Sequence, residues 1–147
     1  MVPLLGVIIL PDDLNQTDYW RRRSLLTTFA HMSHQPALEP EDLARFFVER
    51  ANAGDVEGLV ALYEPEAVLA FPGGQISVGT DAIRAAYTAF LATGPVLPPG
   101  TPSPALRNGD VALTSTKLAG GGATAEIARR QPDGTWPWAA DQPSILP

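Results

Sequence analysis

The chain has 147 residues, enough for one domain with a buried core and too few for two ordinary ones. A hydrophobic fraction of 45% with 18% charged residues is that of a folded globular protein, and a net charge of -6 argues against nucleic acid as a partner. Cysteine is absent, and the two histidines, His31 and His34, lie in the N-terminal stretch, which excludes disulfides and thiolate metal sites and makes a histidine triad or zinc centre in the body untenable.

Residues 1–37 read as an N-terminal extension, disordered or loosely docked. Val2 to Leu10 is apolar but broken by Pro3 and Gly6, and it is too short to cross a bilayer. Arg21-Arg22-Arg23 follow that run instead of preceding it, so it lacks the order of a secretion signal. No membrane partner is expected, and the expected location is the cytoplasm. Met32 offers an alternative start to the chain.

The domain is expected over 38–147. Glu39-Pro40-Glu41-Asp42 opens a helix, with proline tolerated in the first turn and acids complementing the dipole. Leu43, Phe46 and Phe47 follow at i, i+3 and i+4. Asn52-Ala53-Gly54-Asp55 closes this helix and caps the next, which is predicted from Val56 to Tyr63 and stopped by Pro65. Ala67 to Phe71 and Gln75 to Val78 form a hairpin about Pro72-Gly73-Gly74. A third helix starts at Gly79-Thr80-Asp81, carries Ile83, Ala86, Tyr87 and Phe90 on one stripe, and ends at Gly94-Pro95.

The second half reads as strand and turn. Prolines at 95, 98, 99, 102 and 104 confine any strand there to a short or edge position. Ala105 to Arg107, Val111 to Leu118, Ala123 to Arg130 and Thr135 to Asp141 are the remaining strands, separated by Asn108-Gly109-Asp110, Gly120-Gly121-Gly122 and Pro132-Asp133-Gly134. Helices followed by an antiparallel meander predict an α+β domain with helices on one face of a curved sheet.

Asn52-Ala53-Gly54-Asp55, Leu59-Val60-Ala61-Leu62-Tyr63, Glu66-Ala67-Val68, Gly79 with Ile83, and Gly134-Thr135-Trp136 together resemble the nuclear transport factor 2-like (NTF2-like) superfamily in its SnoaL-like and ketosteroid isomerase-like branch. The resemblance covers about residues 38–143. It implies a cone-shaped, cystatin-like fold, three helices packed in a strongly curved, mainly antiparallel sheet around a deep apolar pocket. It also implies a homodimer through the outer sheet face, a hydrophobic small molecule as ligand, and no cofactor. At the position of the isomerases' principal tyrosine stands Phe47, and at that of their general base stands Phe71, before Pro72. Phenylalanine neither accepts a proton nor donates a hydrogen bond, so the standard isomerisation is not expected. Phe71 is read as pocket lining.

The acid that the resemblance implies on the penultimate strand falls on Glu126, and the accessory tyrosines on Tyr63 and Tyr87. Period-two alternation places Thr124, Glu126 and Ala128 on one face. Asp141, on the last strand, matches an acid–base aspartate of SnoaL-type polyketide cyclases and is the replacement for the missing base. The same alternation would put Ala139 and Asp141 toward the pocket and Trp136 and Trp138 on the outer face, within the dimer interface. Two carboxyls in one apolar cavity would separate in proton affinity.

The catalytic candidates are therefore Glu126 and Asp141, with Phe47, Tyr63, Leu69, Phe71, Tyr87 and Thr124 as substrate-binding positions. The expected function is cofactor-independent proton transfer, isomerase- or cyclase-like, on an apolar carbonyl-bearing or polycyclic substrate. The alternative is a non-catalytic binding or accessory domain. For Glu126 a surface or hydrogen-bonded structural role, and for Asp141 a turn cap into Gln142-Pro143, stand beside catalysis.

Overall fold

The computed structural model describes residues 34–145. Helix α1 runs Asp42–Asn52 and buries Leu43, Phe46, Arg50 and Ala51. Gly54, with φ 68°, reverses the chain, and Asp55 caps α2 (Val56–Val60) by accepting the Gly58 amide at 2.8 Å. His34 lies 3.0 Å from the same carboxylate. Arg50 ties the segment ahead of α1 to this corner, donating to the carbonyls of Gly58 at 2.8 Å and Gln35 at 2.5 Å. Burial lowers the Arg50 pKa, against the attraction of Asp55 and Glu49.

Gly58 is required by this corner. A Cβ there would stand 2.2 Å from Asp55 Oδ2. Alanine normally favours a helix over glycine by roughly 1 kcal/mol, but here it would displace the cap, worth about 1 kcal/mol by itself. Gly58→Ala is therefore expected to forfeit the roughly 1 kcal/mol gain that alanine usually brings to a helix, read by urea unfolding. A more stable variant would contradict this packing.

The second helix ends earlier than its sequence suggests. Tyr63 heads strand β1 (Tyr63–Phe71), which runs through Pro65 instead of stopping before it. Proline is tolerated because the β1 register with the last strand jumps between Tyr63 and Val68, leaving no ladder partner over the residues between. Strand β2 (Gln75–Val78) returns antiparallel across the predicted turn, and α3 (Thr80–Ala92) follows, with Ile83 and Tyr87 buried.

Among the described residues the proline-rich segment pairs in a sheet through β3 (Thr101–Pro102), a short stretch of the kind its prolines allow. Then come β4 (Leu106–Asn108), β5 (Val111–Thr114), β6 (Thr116–Lys117), β7 (Ala125–Arg129) and β8 (Trp138–Gln142). The predicted strand 111–118 divides at Ser115: β5 stays in the main sheet, and β6 leaves to pair with β3. The six-stranded sheet has the order β2-β1-β8-β7-β5-β4, with only β1 and β8 parallel. Helices and the inner sheet face enclose a core of Leu43, Phe46, Leu59, Leu62, Leu69 and Ile83.

One irregularity reorients the site. Ala128 pairs with Trp138 and Ile127 with Ala140, so Ala139 is an extra residue on β8. Alternation is reset across it, and Trp138 and Asp141 both turn inward, 3% and 6% exposed. The expected placing of the tryptophans on the outer face is thereby corrected. Trp136 is buried as well, with its amide bonded to the Ala37 carbonyl at 2.9 Å.

The outer face is apolar without them. Leu106 pairs with Leu113, Leu113 with Ile127, Ile127 with Ala140, Ala140 with Val68 and Val68 with Val78. One apolar residue from each of the six strands thus lies in a single cross-strand row. All but the half-buried Ala140 rank as exposed, from 36% at Ile127 to 72% at Leu106.

Candidate active site

Tyr63 from β1, Tyr87 from α3 and Asp141 from β8 meet inside the sheet. The Tyr63 hydroxyl donates to Asp141 Oδ2, and the Tyr87 and Tyr63 hydroxyls are 2.5 Å apart. Because Tyr63 spends its proton on the carboxyl, its oxygen accepts from Tyr87. The result is a directed file, Tyr87 to Tyr63 to Asp141.

Burial raises the Asp141 pKa to about 7; the Tyr63 hydrogen bond opposes the rise and the Glu126 charge adds to it. Both phenols are held well above their ordinary range, by burial first and then by the Asp141 charge. Glu126 stands directly across from Asp141 in the β7–β8 ladder. It is 6% exposed, and burial raises its pKa while hydrogen bonds from Thr124 and Thr114 oppose the rise.

Of the positions expected to line a pocket, Leu69 is fully buried on β1 beside Asp141, its ladder partner. Thr124 lies against Glu126. Phe47 packs against Tyr87 and Trp138, with ring centroids 6.1 and 6.2 Å apart. Phe71 meets Tyr87 edge-on at 5.7 Å and Phe90 at 6.1 Å. The inner end of the expected hollow is therefore filled by contacting rings.

Open space lies to either side of it. A groove of about 590 Å³ runs between the β1–β2 hairpin and α3, bounded by Phe71, Phe90, Ile76 and Ala86. A second depression, about 320 Å³, lies along the strands among Val68, Leu113, Ile127 and Ala140 and reaches Glu126 and Asp141. Trp138 and Thr114 are site residues that sequence reasoning missed. Threonine at 114 shares the inward parity of Ala112, a visible signal; the bulge hid Trp138.

The profile of the SnoaL-like domain matches residues 43–135, more than half of the chain. The chain belongs to the SnoaL-like family. Solved structures with the same fold include a ketosteroid isomerase-like protein from Erwinia carotovora atroseptica, at 19% identity and TM-score 0.55, covering 73% of this chain and 94% of that one. A protein with a cystatin-like fold from Nostoc punctiforme aligns at 24% identity and TM-score 0.60, over 75% and 90%. An NTF2-like protein from Novosphingobium aromaticivorans aligns at 21% and 0.52, over 89% of each chain. No curated protein matches the chain significantly. At these identities the shared property is the fold, and the expected α+β, cystatin-like architecture is borne out. The SnoaL-like domain has no helix among its described residues long and apolar enough to cross a membrane.

Proposed function

We propose that this SnoaL-like domain binds an apolar, carbonyl-bearing small molecule and moves a proton on it, as a cofactor-independent isomerase or cyclase. The observation that carries the reading is the Tyr87–Tyr63–Asp141 file, which ends on a carboxyl titrating at about 7 beside a second buried carboxyl, Glu126. An acid–base group is most effective when its pKa lies near the working pH. Asp141 takes the part that Phe71 cannot play, and Tyr63 orients it. The groove against Phe71 and Phe90 supports the binding half of the reading, and its volume is that of a small-molecule site. Phe71, on the wall of the groove, packs against Tyr87, the first member of the file.

The test is a thermal-shift screen of apolar ketones and phenols, followed by turnover of any hit. Ala86→Trp, which fills the groove, is expected to weaken binding at least tenfold. Asp141→Asn is expected to keep binding and lose turnover by 100-fold or more. Turnover that survives in Asp141→Asn, or binding indifferent to Ala86→Trp, would defeat the proposal.

The same reading includes a homodimer. The six-strand apolar row is the observation that favours it, since a contiguous exposed apolar stripe of this kind marks a contact surface.

A further inference from the structure

A buried serine opens on the groove between the β1–β2 hairpin and α3. Ser77 is 6% exposed and stands on the inner face of β2, paired with the fully buried Leu69. Across from it α3 lines the groove with Ala82, Ala85, Ala86 and Ala89, whose short side chains leave the space its width. Among the described residues, the side-chain oxygens and nitrogens closed off from solvent all have hydrogen-bond partners. The Ser77 hydroxyl has none among those residues, so it is not closed off: it opens on the groove that the residue lines.

The surroundings limit what that hydroxyl can meet. No residue lining the groove carries a charge, so an ionised group entering it would lose water without gaining a counter-ion. A hydroxyl withdrawn from bulk water without a partner also costs free energy, and a neutral oxygen on a ligand returns it. Serine both donates and accepts, and toward a carbonyl or ether oxygen it donates. Gln75, two residues earlier on the same strand, borders the groove too, but it is exposed beside the hairpin turn and keeps its hydration. Burial therefore singles out Ser77.

We infer that Ser77 is the specificity-determining residue of the groove, its hydroxyl donating to a neutral oxygen on an otherwise apolar ligand. Leu69 pairs with both Ser77 and Asp141, so the two polar residues stand on one inner cross-strand row with a leucine between them. Two strand spacings separate them, about 10 Å. An oxygen held by Ser77 is thus remote from Asp141. In the proposed reaction it belongs to the far end of the substrate, away from the carbon that exchanges a proton. That catalytic placing rests on the proposed function, whereas recognition of the oxygen rests only on its binding half.

The probes are 2-tetralone and tetralin, which share a bicyclic carbon frame and differ by one ketone oxygen. Each is titrated into the full chain and followed by the NMR shifts of backbone amides along the groove. Ser77→Ala is expected to lower the ratio of ketone to hydrocarbon affinity about fivefold, the effect of one lost hydrogen bond, with tetralin bound as before. Gln75→Ala should leave the ratio unchanged. Because the serine hydroxyl has no partner to lose among the described residues, Ser77→Ala should also unfold at nearly the wild-type urea concentration, a readout that needs no ligand. A ratio indifferent to Ser77→Ala, an equal fall in Gln75→Ala, or a marked loss of stability in Ser77→Ala would each overturn the assignment while leaving the groove as a binding site. If neither probe bound the wild type, the groove reading would fall and this anchor with it. The expected fall in ratio, with no turnover of any ligand, would defeat only the enzymatic reading.

Discussion

Between about pH 4 and pH 7 the domain is expected to lose stability as the pH rises, and Asp141→Asn to remove most of that loss. The sign follows from proton binding. An aspartate in the unfolded chain ionises near 3.9, whereas Asp141 in the fold keeps its proton up to about 7. Across that interval the folded state binds the extra proton, so its stabilisation is complete below the unfolded value and lost as pH climbs through the folded one. Each tenfold difference in proton affinity is worth about 1.4 kcal/mol, so the change is on the order of a few kcal/mol, a large share of the stability of a small domain. Glu126, also raised by burial, acts in the same direction.

Exposed groups pull the other way. The Glu57 pKa is lowered by its hydrogen bond from Arg84, and that of Asp133 by its bonds from Thr135. Both are present in the wild type and the variant, so they cancel in the difference between them. Urea unfolding of both proteins at several pH values from 4.5 to 7.5 gives that difference directly. Equal pH dependence in the two would show that Asp141 is not titrating in the fold.

Local chemistry made much of the architecture readable in advance. Gly54 and Asp55 mark a helix end and a cap whatever surrounds them, and Pro72-Gly73-Gly74 marks the hairpin that the structure shows. Alternation put Glu126 on the buried face because β7 is regular from Ala125 to Arg129. It failed on β8, where one unpaired residue, Ala139, reverses the parity on one side and brings Trp138 to the face of Asp141. A bulge is specified by the pairing of two strands, and neither strand's own sequence announces it. Pro65 misled for a related reason. Proline breaks a helix or a ladder only where its amide is needed, and that need depends on the β1–β8 register. The filling of the hollow was also non-local. Phe47, Tyr63, Phe71, Tyr87 and Trp138 come from α1, β1, α3 and β8, and their mutual contacts exist only once the sheet has curved around the helices.

Ile127→Glu is expected to convert the proposed homodimer to a monomer without unfolding it. Ile127 sits inside the cross-strand row, between Leu113 on β5 and Ala140 on β8, and beside the outer depression. Its side chain points away from the core, so a charge there costs the isolated domain little. In an isologous pair the same patch meets itself, so each copy brings a glutamate into the contact. Two like charges must then leave water for a largely apolar surface, a change expected to weaken association by at least about 100-fold. Val96→Glu, at an 86% exposed position of the proline-rich segment, is the control for charge alone and should leave the dimer intact. Sedimentation velocity over a range of protein concentrations separates the outcomes. A dimer unaffected by Ile127→Glu would place the interface elsewhere on the domain. A wild-type chain that stays monomeric at high concentration would leave the six-strand row to some partner other than a second copy.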